Sequence, residues 1–324
     1  MGLPAFLVSL ALVFVMGVAI QRGNTCTVVA IDDIVERRSW DRLLAIVYAW
    51  FWVSGGLAVL ALATGVRPTP QAVPITLWSV AGGLLLGIGA VINGACTTGS
   101  VARIGSGEYA FGLTLLGFYL GCVMAPHLFD RQATTHVGST PTLTSLDYPV
   151  VALVGLGLVA ALTVRRLVVG PHDSFREFLR QAWDPRTATF IIGLLFVALV
   201  QLFGPWAYTE LLGDISHGVG DWAVERVAFL VVMLAGAVVA GRSMKGAKLI
   251  GPLAPRVIRC FFGGIIMGTG FSIAPGAFDG LTLYGQPLLL PFAWVVMGAS
   301  YLSILLGVLY LRSRFGAWIK ALRG

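Results

Sequence analysis

The feature that most constrains this chain is the recurrence of long apolar runs. Nine occur, at 3–20, 43–64, 74–92, 109–128, 149–169, 188–207, 223–240, 259–274 and 288–311. A run of about 20 such residues is long enough to cross the hydrocarbon core as a helix. Lipid offers no partner to a backbone N–H or C=O, so such runs must form helices. The expected fold class is all-α: a polytopic membrane protein of about nine transmembrane helices plus short re-entrant or broken helices. Charge agrees, since 11% charged against 57% hydrophobic residues is too little to coat a soluble protein of this length. The same balance argues against a disordered chain, a nucleic-acid-binding domain and a disulfide scaffold, the four cysteines being few and scattered. The first run has no Lys or Arg before Arg22 and so does not read as a signal peptide.

The net charge of +7 is a topology signal. With nine spans, nineteen Lys and Arg residues fall in segments on one side and two on the other, leaving Arg226 inside a span. Basic residues accumulate on the cytoplasmic side. The expected orientation is therefore a multi-pass protein of the bacterial inner membrane, N-terminus periplasmic and C-terminus cytoplasmic.

The sequence also resembles itself. Gly87-Ile88-Gly89 aligns with Gly268-Thr269-Gly270, and Gly99 with Gly280, at an offset of 181. Asp33-Ile34 aligns with Asp214-Ile215 at 181, and Gln21 with Gln201 at 180. An odd linking span reverses the second copy, which gives an inverted-topology repeat, an architecture common in secondary transporters. The expected division is a first half at 1–148, a linker span with a cytoplasmic amphipathic segment at 149–187, and an inverted second half at 188–324. Within the linker, 173–184 reads as an amphipathic surface helix.

Each half carries two interrupted segments: Gln21-Arg22-Gly23-Asn24-Thr25-Cys26 and Asn93-Gly94-Ala95-Cys96-Thr97-Thr98-Gly99-Ser100 in the first, Phe203-Gly204-Pro205-Trp206 and Ala274-Pro275-Gly276-Ala277-Phe278-Asp279-Gly280 in the second. Gly/Pro breaks at corresponding places in two halves point to a transport site. The competing reading is ordinary tight loops at the membrane surface. A short helix is expected at 100–108; its N-terminal N–H groups, with the hydroxyls of Thr97, Thr98 and Ser100, favour an anion. Cys26 and Cys96 sit in the breaks, near the cytoplasmic side by the topology, where thiols stay reduced. A thiol there is a soft S–H donor for a sulfur anion, with Arg22 the expected neighbouring positive charge. Cys122 and Cys260 read as small buried hydrophobes. Glu225 and Arg226 read as a local pair. Asp279 reads as a helix cap facing the outer side, and the acidic proton pathway of a pump is not visible. The four histidines are dispersed, and no metal spacing, Walker A motif or dinucleotide fingerprint occurs. No cofactor, metal or catalytic residue is expected.

At these residues the chain resembles the YeeE/YedE family of bacterial inner-membrane sulfur transporters, whose characterised activity is thiosulfate uptake. Gly94-Ala95-Cys96-Thr97-Thr98-Gly99 is similar to the family's Gly-Gly-Cys-Thr-Ser-Gly signature, and Gln21–Cys26 to its first cysteine motif. The resemblance implies an anion path lined by Cys26 and Cys96. That carries over to Cys26 and Cys96 only; the interrupted segments and the repeat offset add Gln21, Arg22, Asn24, Asn93, Gly94, Thr97, Thr98, Gly99, Ser100, Gln201 and Ala277 as expected companions on the path. The resemblance also implies a TusA-like cytoplasmic sulfur carrier as partner. The sequence departs at Ala277, which stands where the family has a third cysteine. The readings are thus a permease for a small sulfur-containing anion, most of all thiosulfate, a transporter of another sulfur or selenium species, or a sulfur-compound sensor. A membrane enzyme using Cys96 as a sulfur-accepting nucleophile lacks a base in the sequence.

Overall fold

A computed structural model describes residues 2–65, 73–129, 147–169, 181–218, 223–244 and 254–323. Every element among them is helical. The first half runs α1 (Leu3–Gly23), α2 (Thr27–Arg37), α3 (Asp41–Thr64), α4 (Leu77–Asn93), α5 (Thr97–Gly105) and, after a 3-10 turn at Tyr109–Phe111, α6 (Gly112–Leu128). The linker helix is α7 (Asp147–Val169). The second half runs α8 (Pro185–Leu202), α9 (Tyr208–Ser216), α10 (Ala223–Ser243) and α11 (Ala254–Ile273). An α turn at Phe278–Gly280 running into a π turn at Leu281–Gly285 makes α12, and α13 is Pro291–Arg323.

Eight segments among the described residues are long and apolar enough to cross a membrane. They hold the expected runs apart from 149–169. That run lies in α7, a 23-residue helix, Asp147–Val169, that covers it from end to end. The eighth run, short in sequence at 259–274, is a full 20-residue helix because it continues back to Ala254. Most of the amphipathic stretch 173–184 lies outside the described residues, and its last four residues are not helical.

Both halves share one element order, and their packing is exchanged between them. Helix α1 packs on α10 and α8 on α3; α4 packs on α13 and α11 on α6; α2 packs on α13 and α9 on α6. The pairs α1–α8 and α4–α11 map onto themselves. A contact set that survives exchange of halves is what an approximate two-fold axis produces. Salt bridges repeat too. Asp33 on α2 pairs with Arg42 at the start of α3, and Asp214 on α9 with Arg226 on α10. The expected Glu225–Arg226 pair is therefore corrected: the Arg226 guanidinium turns back to the short helix before it.

Glycine seams hold these crossings close. Between lipid-embedded helices the attraction is packing, which small residues permit by letting backbones approach. A Cβ at Gly83 or Gly87 of α4 would collide with the backbone carbonyls of Val296 and Ser300 on α13. A Cβ at Gly264 or Gly268 of α11 would collide with those of Thr114 and Phe118 on α6. These positions are related by the offset of 181, so the sequence repeat is a repeat of backbone contact.

Candidate functional site

The four breaks are built alike. Each contains a left-handed residue: Asn24 (φ 44°), Gly94 (φ 83°), Gly204 (φ 103°) and Gly276 (φ 114°). That conformation suits Gly, and Asn better than most others. It stops the membrane helix and lets a short helix restart: α2 after Cys26, α5 after Cys96, α9 after Ala207, α12 after Ala277. Helix α5 starts at Thr97 rather than 100 because Cys96 is its N-cap, its Sγ accepting from Gly99 N at 3.4 Å.

The two cysteine caps meet. Cys26 and Cys96 are each 1% exposed, and their sulfurs stand 3.4 Å apart. Cys26 Sγ accepts from Cys96 N at 3.4 Å, and Cys96 Sγ accepts from Thr27 N at 3.4 Å. Each thiol thus serves the helix start beside the other, and both remain free thiols. Gly99 makes this possible, since a Cβ there would fall on the Cys26 side chain. Asn93 locks the turn from behind. Its Nδ2 donates to Ala95 O at 2.7 Å and Ser100 Oγ at 2.9 Å, and its Oδ1 accepts from Thr114 Oγ1 at 2.8 Å. Ser100 Oγ donates to Cys96 O at 3.0 Å.

The breaks of the two halves also touch. Thr97 Oγ1 donates to Asp279 Oδ1 at 3.2 Å, and Thr209 donates to the same carboxylate through Oγ1 at 2.6 Å and N at 3.3 Å. All three residues are buried. The placement of the cysteine breaks at one membrane face and Asp279 at the other is corrected. The breaks form one centre, so they are not surface loops. The capping role read for Asp279 is present, but on another helix of its own half: its carboxylate holds the start of α9, while Thr97 reaches it from the first half.

Beside this centre lies a cavity of about 70 Å³, room for several waters or one small anion. Thr25, Thr27 and Thr98 line it from the first half; Thr189, Trp206, Tyr208, Asp279 and Thr282 line it from the second. Met16, Ile20, Ile46, Ile192 and Met233 are among the side chains that close its apolar wall. Thr27, Tyr208 and Phe278 are the first residues of α2, α9 and α12, and Thr98 the second of α5. Four helix starts therefore border one volume, and helix N-termini carry partial positive charge. None of the lining residues is Lys, Arg or His. Two lining donors lack a partner among the described residues. Trp206 is 3% exposed and its Nε1–H has no acceptor, and Thr25 Oγ1 is sealed from solvent with none. The two are repeat mates at the offset of 181.

Comparison with known proteins decides the family. The model of the sulphur transport family matches residues 22–308, nearly the whole chain and every break described above. The chain belongs to the sulphur transport family. It is also similar to the thiosulfate transporter TsuA of Escherichia coli (strain K12), with 25% identity over 316 residues covering 86% of this chain and 87% of the relative. This sulphur transport protein is thus an all-α multi-pass membrane protein whose family moves sulfur compounds.

Within the sulphur transport protein, the expected site residues divide. Cys26, Cys96, Thr97, Gly99, Asn93, Gly94, Ser100 and Asn24 build the cysteine centre, and Thr98 lines the cavity. Ala277 caps α12 by its backbone alone, fully buried in the same apolar core as the two cysteines. Three expectations are corrected. Arg22 does not face Cys26. The left-handed turn at Asn24 separates them, and the guanidinium instead donates to Gln181 O at 2.8 Å and Ser243 Oγ at 2.7 Å, under the Trp183 ring. Gln21 Nε2 donates to Ser106 Oγ at 3.0 Å, against α5 and away from the cavity. Gln201 is exposed near the end of α8. Unanticipated are Thr25, Thr27, Thr189, Trp206, Tyr208, Thr209 and Thr282. Extending the 181 offset through the breaks finds several: it pairs Thr25 with Trp206, Thr27 with Tyr208 and Thr98 with Asp279.

Proposed function

We propose that this chain is a permease for a small sulfur-containing anion, thiosulfate above all, taken up across the bacterial inner membrane without covalent chemistry. The observation that carries this reading is the cavity where four helix starts converge, walled by hydroxyls and offering two buried unpartnered donors. An oxyanion supplies the acceptors that Trp206 Nε1 and Thr25 Oγ1 lack. Helix N-termini stabilise it without a fixed cation, so it is held weakly enough to leave. The cysteine pair stands one residue behind the wall, beside Thr25, Thr27 and Thr98. Its S–H groups replace part of the hydration shell as the anion passes, with no sulfur–sulfur bond made or broken.

The architecture proposed around this site is two halves, 1–148 and 188–324, inverted about the linker 149–187, with the N-terminus periplasmic and the C-terminus cytoplasmic. The nineteen-to-two division of basic residues supports that orientation. A TusA-like sulfur carrier is the proposed cytoplasmic acceptor. Loss of a thiol at Ala277 favours one second reading, a sensor that binds the anion without passing it.

Purified protein in proteoliposomes tests both. Uptake of radiolabelled thiosulfate that collapses in Cys96→Ala supports the permease. Binding without uptake in well-folded wild type supports the sensor, and neither binding nor uptake removes thiosulfate as the cargo.

A further inference from the structure

An anion cavity with a carboxylate in its wall poses an electrostatic problem. Asp279 lines the cavity, is 8% exposed, and any anion filling so small a volume lies in contact range of it. No Lys or Arg is among the lining residues to offset the two charges. Like charges in contact within a water-poor site cannot both stay ionised, and one of them takes a proton. A sulfur oxyanion of a strong acid is a far weaker base than a carboxylate, so the proton goes to the carboxylate.

The groups facing Asp279 fit this assignment. From α5 come Thr97 and, at its cap, the Cys96 thiol. From α9 come Tyr208, Thr209 and Glu210, whose Oε1 packs against Gly280. The Asp214–Arg226 pair lies one helical turn along α9 from Glu210, with the Asp214 side chain 40% exposed. Tyr48 of α3 is turned to Arg186. Every immediate neighbour is a hydroxyl, a thiol or a second carboxylate. The Thr97 and Thr209 hydroxyls can donate to the ionised acid or accept from the protonated one. Both protonation states therefore keep their hydrogen bonds, and Glu210 leads toward a water-exposed ion pair.

We propose that Asp279 carries the coupling proton of the transport cycle: it takes a proton from the side where the anion enters and releases it on the side where the anion leaves, so that one proton crosses with each anion. This inference rests on the permease reading and adds its energy source. Resting Asp279, ionised, holds the start of α9 through Thr209 N. Protonated, it loosens that hold while the anion occupies the neighbouring helix starts. An anion alone meets a charged wall, and a proton alone leaves Trp206 and Thr25 unpartnered, so each favours entry of the other.

The test is thiosulfate accumulation in proteoliposomes with the membrane potential clamped at zero and a pH gradient imposed. Wild type should accumulate label about ten-fold more for one unit of inward proton gradient, the equilibrium for one proton per anion. It should also alkalinise a weakly buffered exterior. Asp279→Asn, permanently neutral, should lose accumulation while exchange of labelled for unlabelled thiosulfate is still measurable. Accumulation independent of the gradient, or gradient-driven accumulation retained in Asp279→Asn, overturns the coupling and leaves the permease standing. Absence of both uptake and exchange in folded wild type overturns the permease reading and the coupling with it. If Asp279→Asn does not fold, the gradient dependence and alkalinisation of wild type decide alone.

Discussion

The two halves of this protein share a backbone plan and differ in what caps their short helices. In the first half the caps are Cys26 and Cys96, soft sulfur groups that serve each other's helix starts. Their repeat mates are Ala207 and Ala277, methyl groups that accept nothing, and the start of α9 is held instead by the Asp279 carboxylate. One half thus stabilises its helix N-termini with sulfur, and the other with an acid. A fixed anion satisfies a helix start better than a thiol does. It also excludes a second anion. In the proposed permease, the thiols would leave the field of α2 and α5 available to cargo, whereas Asp279 would make that of α9 available only when neutral.

The sharpest way to break this comparison is at the glycines that follow the caps. Gly99→Val drives a branched side chain into Cys26 and separates the sulfurs. A loss of about 1–3 kcal/mol in stability, or more, is expected from such overpacking, with uptake abolished; thermal unfolding in detergent and proteoliposome uptake read both. The mate, Gly280→Ala, meets only the end of the flexible Glu210 side chain and should stay within about 1 kcal/mol of wild type. Equal damage at the two sites would show that the thiol contact is not special.

The caps themselves come next. Cys96→Ala strips the acceptor from Thr27 N and Gly99 N. It should cost about 1 kcal/mol of stability and roughly ten-fold in uptake. Cys96→Ser restores a capping oxygen and should recover the melting temperature without recovering uptake. If uptake returns with serine, the sulfur acts only as a cap.

The donors of the cavity should show a gentler effect. Trp206→Phe and Thr25→Val remove groups that are unpartnered in the protein alone. Each should therefore raise the apparent KM roughly three- to ten-fold while leaving the melting temperature unchanged, which a structural hydrogen bond would not do. The smallest change expected is a gain. Ala277→Cys puts a thiol into the second half and should raise uptake about two- to three-fold, in keeping with a weak S–H contact.

Much of this was legible in the sequence, for identifiable reasons. Runs of about 20 residues with almost no charge have one structural solution in lipid, so the long helices were readable, the one at 149–169 included. The breaks were readable because Asn24, Gly94, Gly204 and Gly276 must turn left-handed where the helix stops. What one chain segment cannot reveal is which way a side chain turns after such a break. Arg22 lies four residues from Cys26 and was expected beside it, yet the turn at Asn24 sends the guanidinium to the linker and α10. Asp279 was readable as a cap but not as a cap for a helix so distant in sequence, because its partner Thr209 lies 70 residues away. The cavity was hidden for the same reason. Its wall takes residues from both halves, and the signal that unites them, Thr25 with Trp206 and Thr98 with Asp279, joins unlike side chains on an offset recognised only where glycine matched glycine.

Those glycines have a mechanical consequence. At the α4–α13 and α6–α11 crossings glycines let one helix rest against the backbone carbonyls of the next. Side chains can shear past one another by changing rotamer, but a carbonyl seated in a glycine notch has nothing that can rotate out of the way. To slide either helix, several notches would have to lift at once, at both crossings related by the two-fold. The frame is therefore geared to stay still while the small parts it holds, four short helix starts and their caps, do the moving. In the proposed permease, turnover would then follow hydroxyls, thiols and a carboxylate exchanging partners and not the slower rocking of domains.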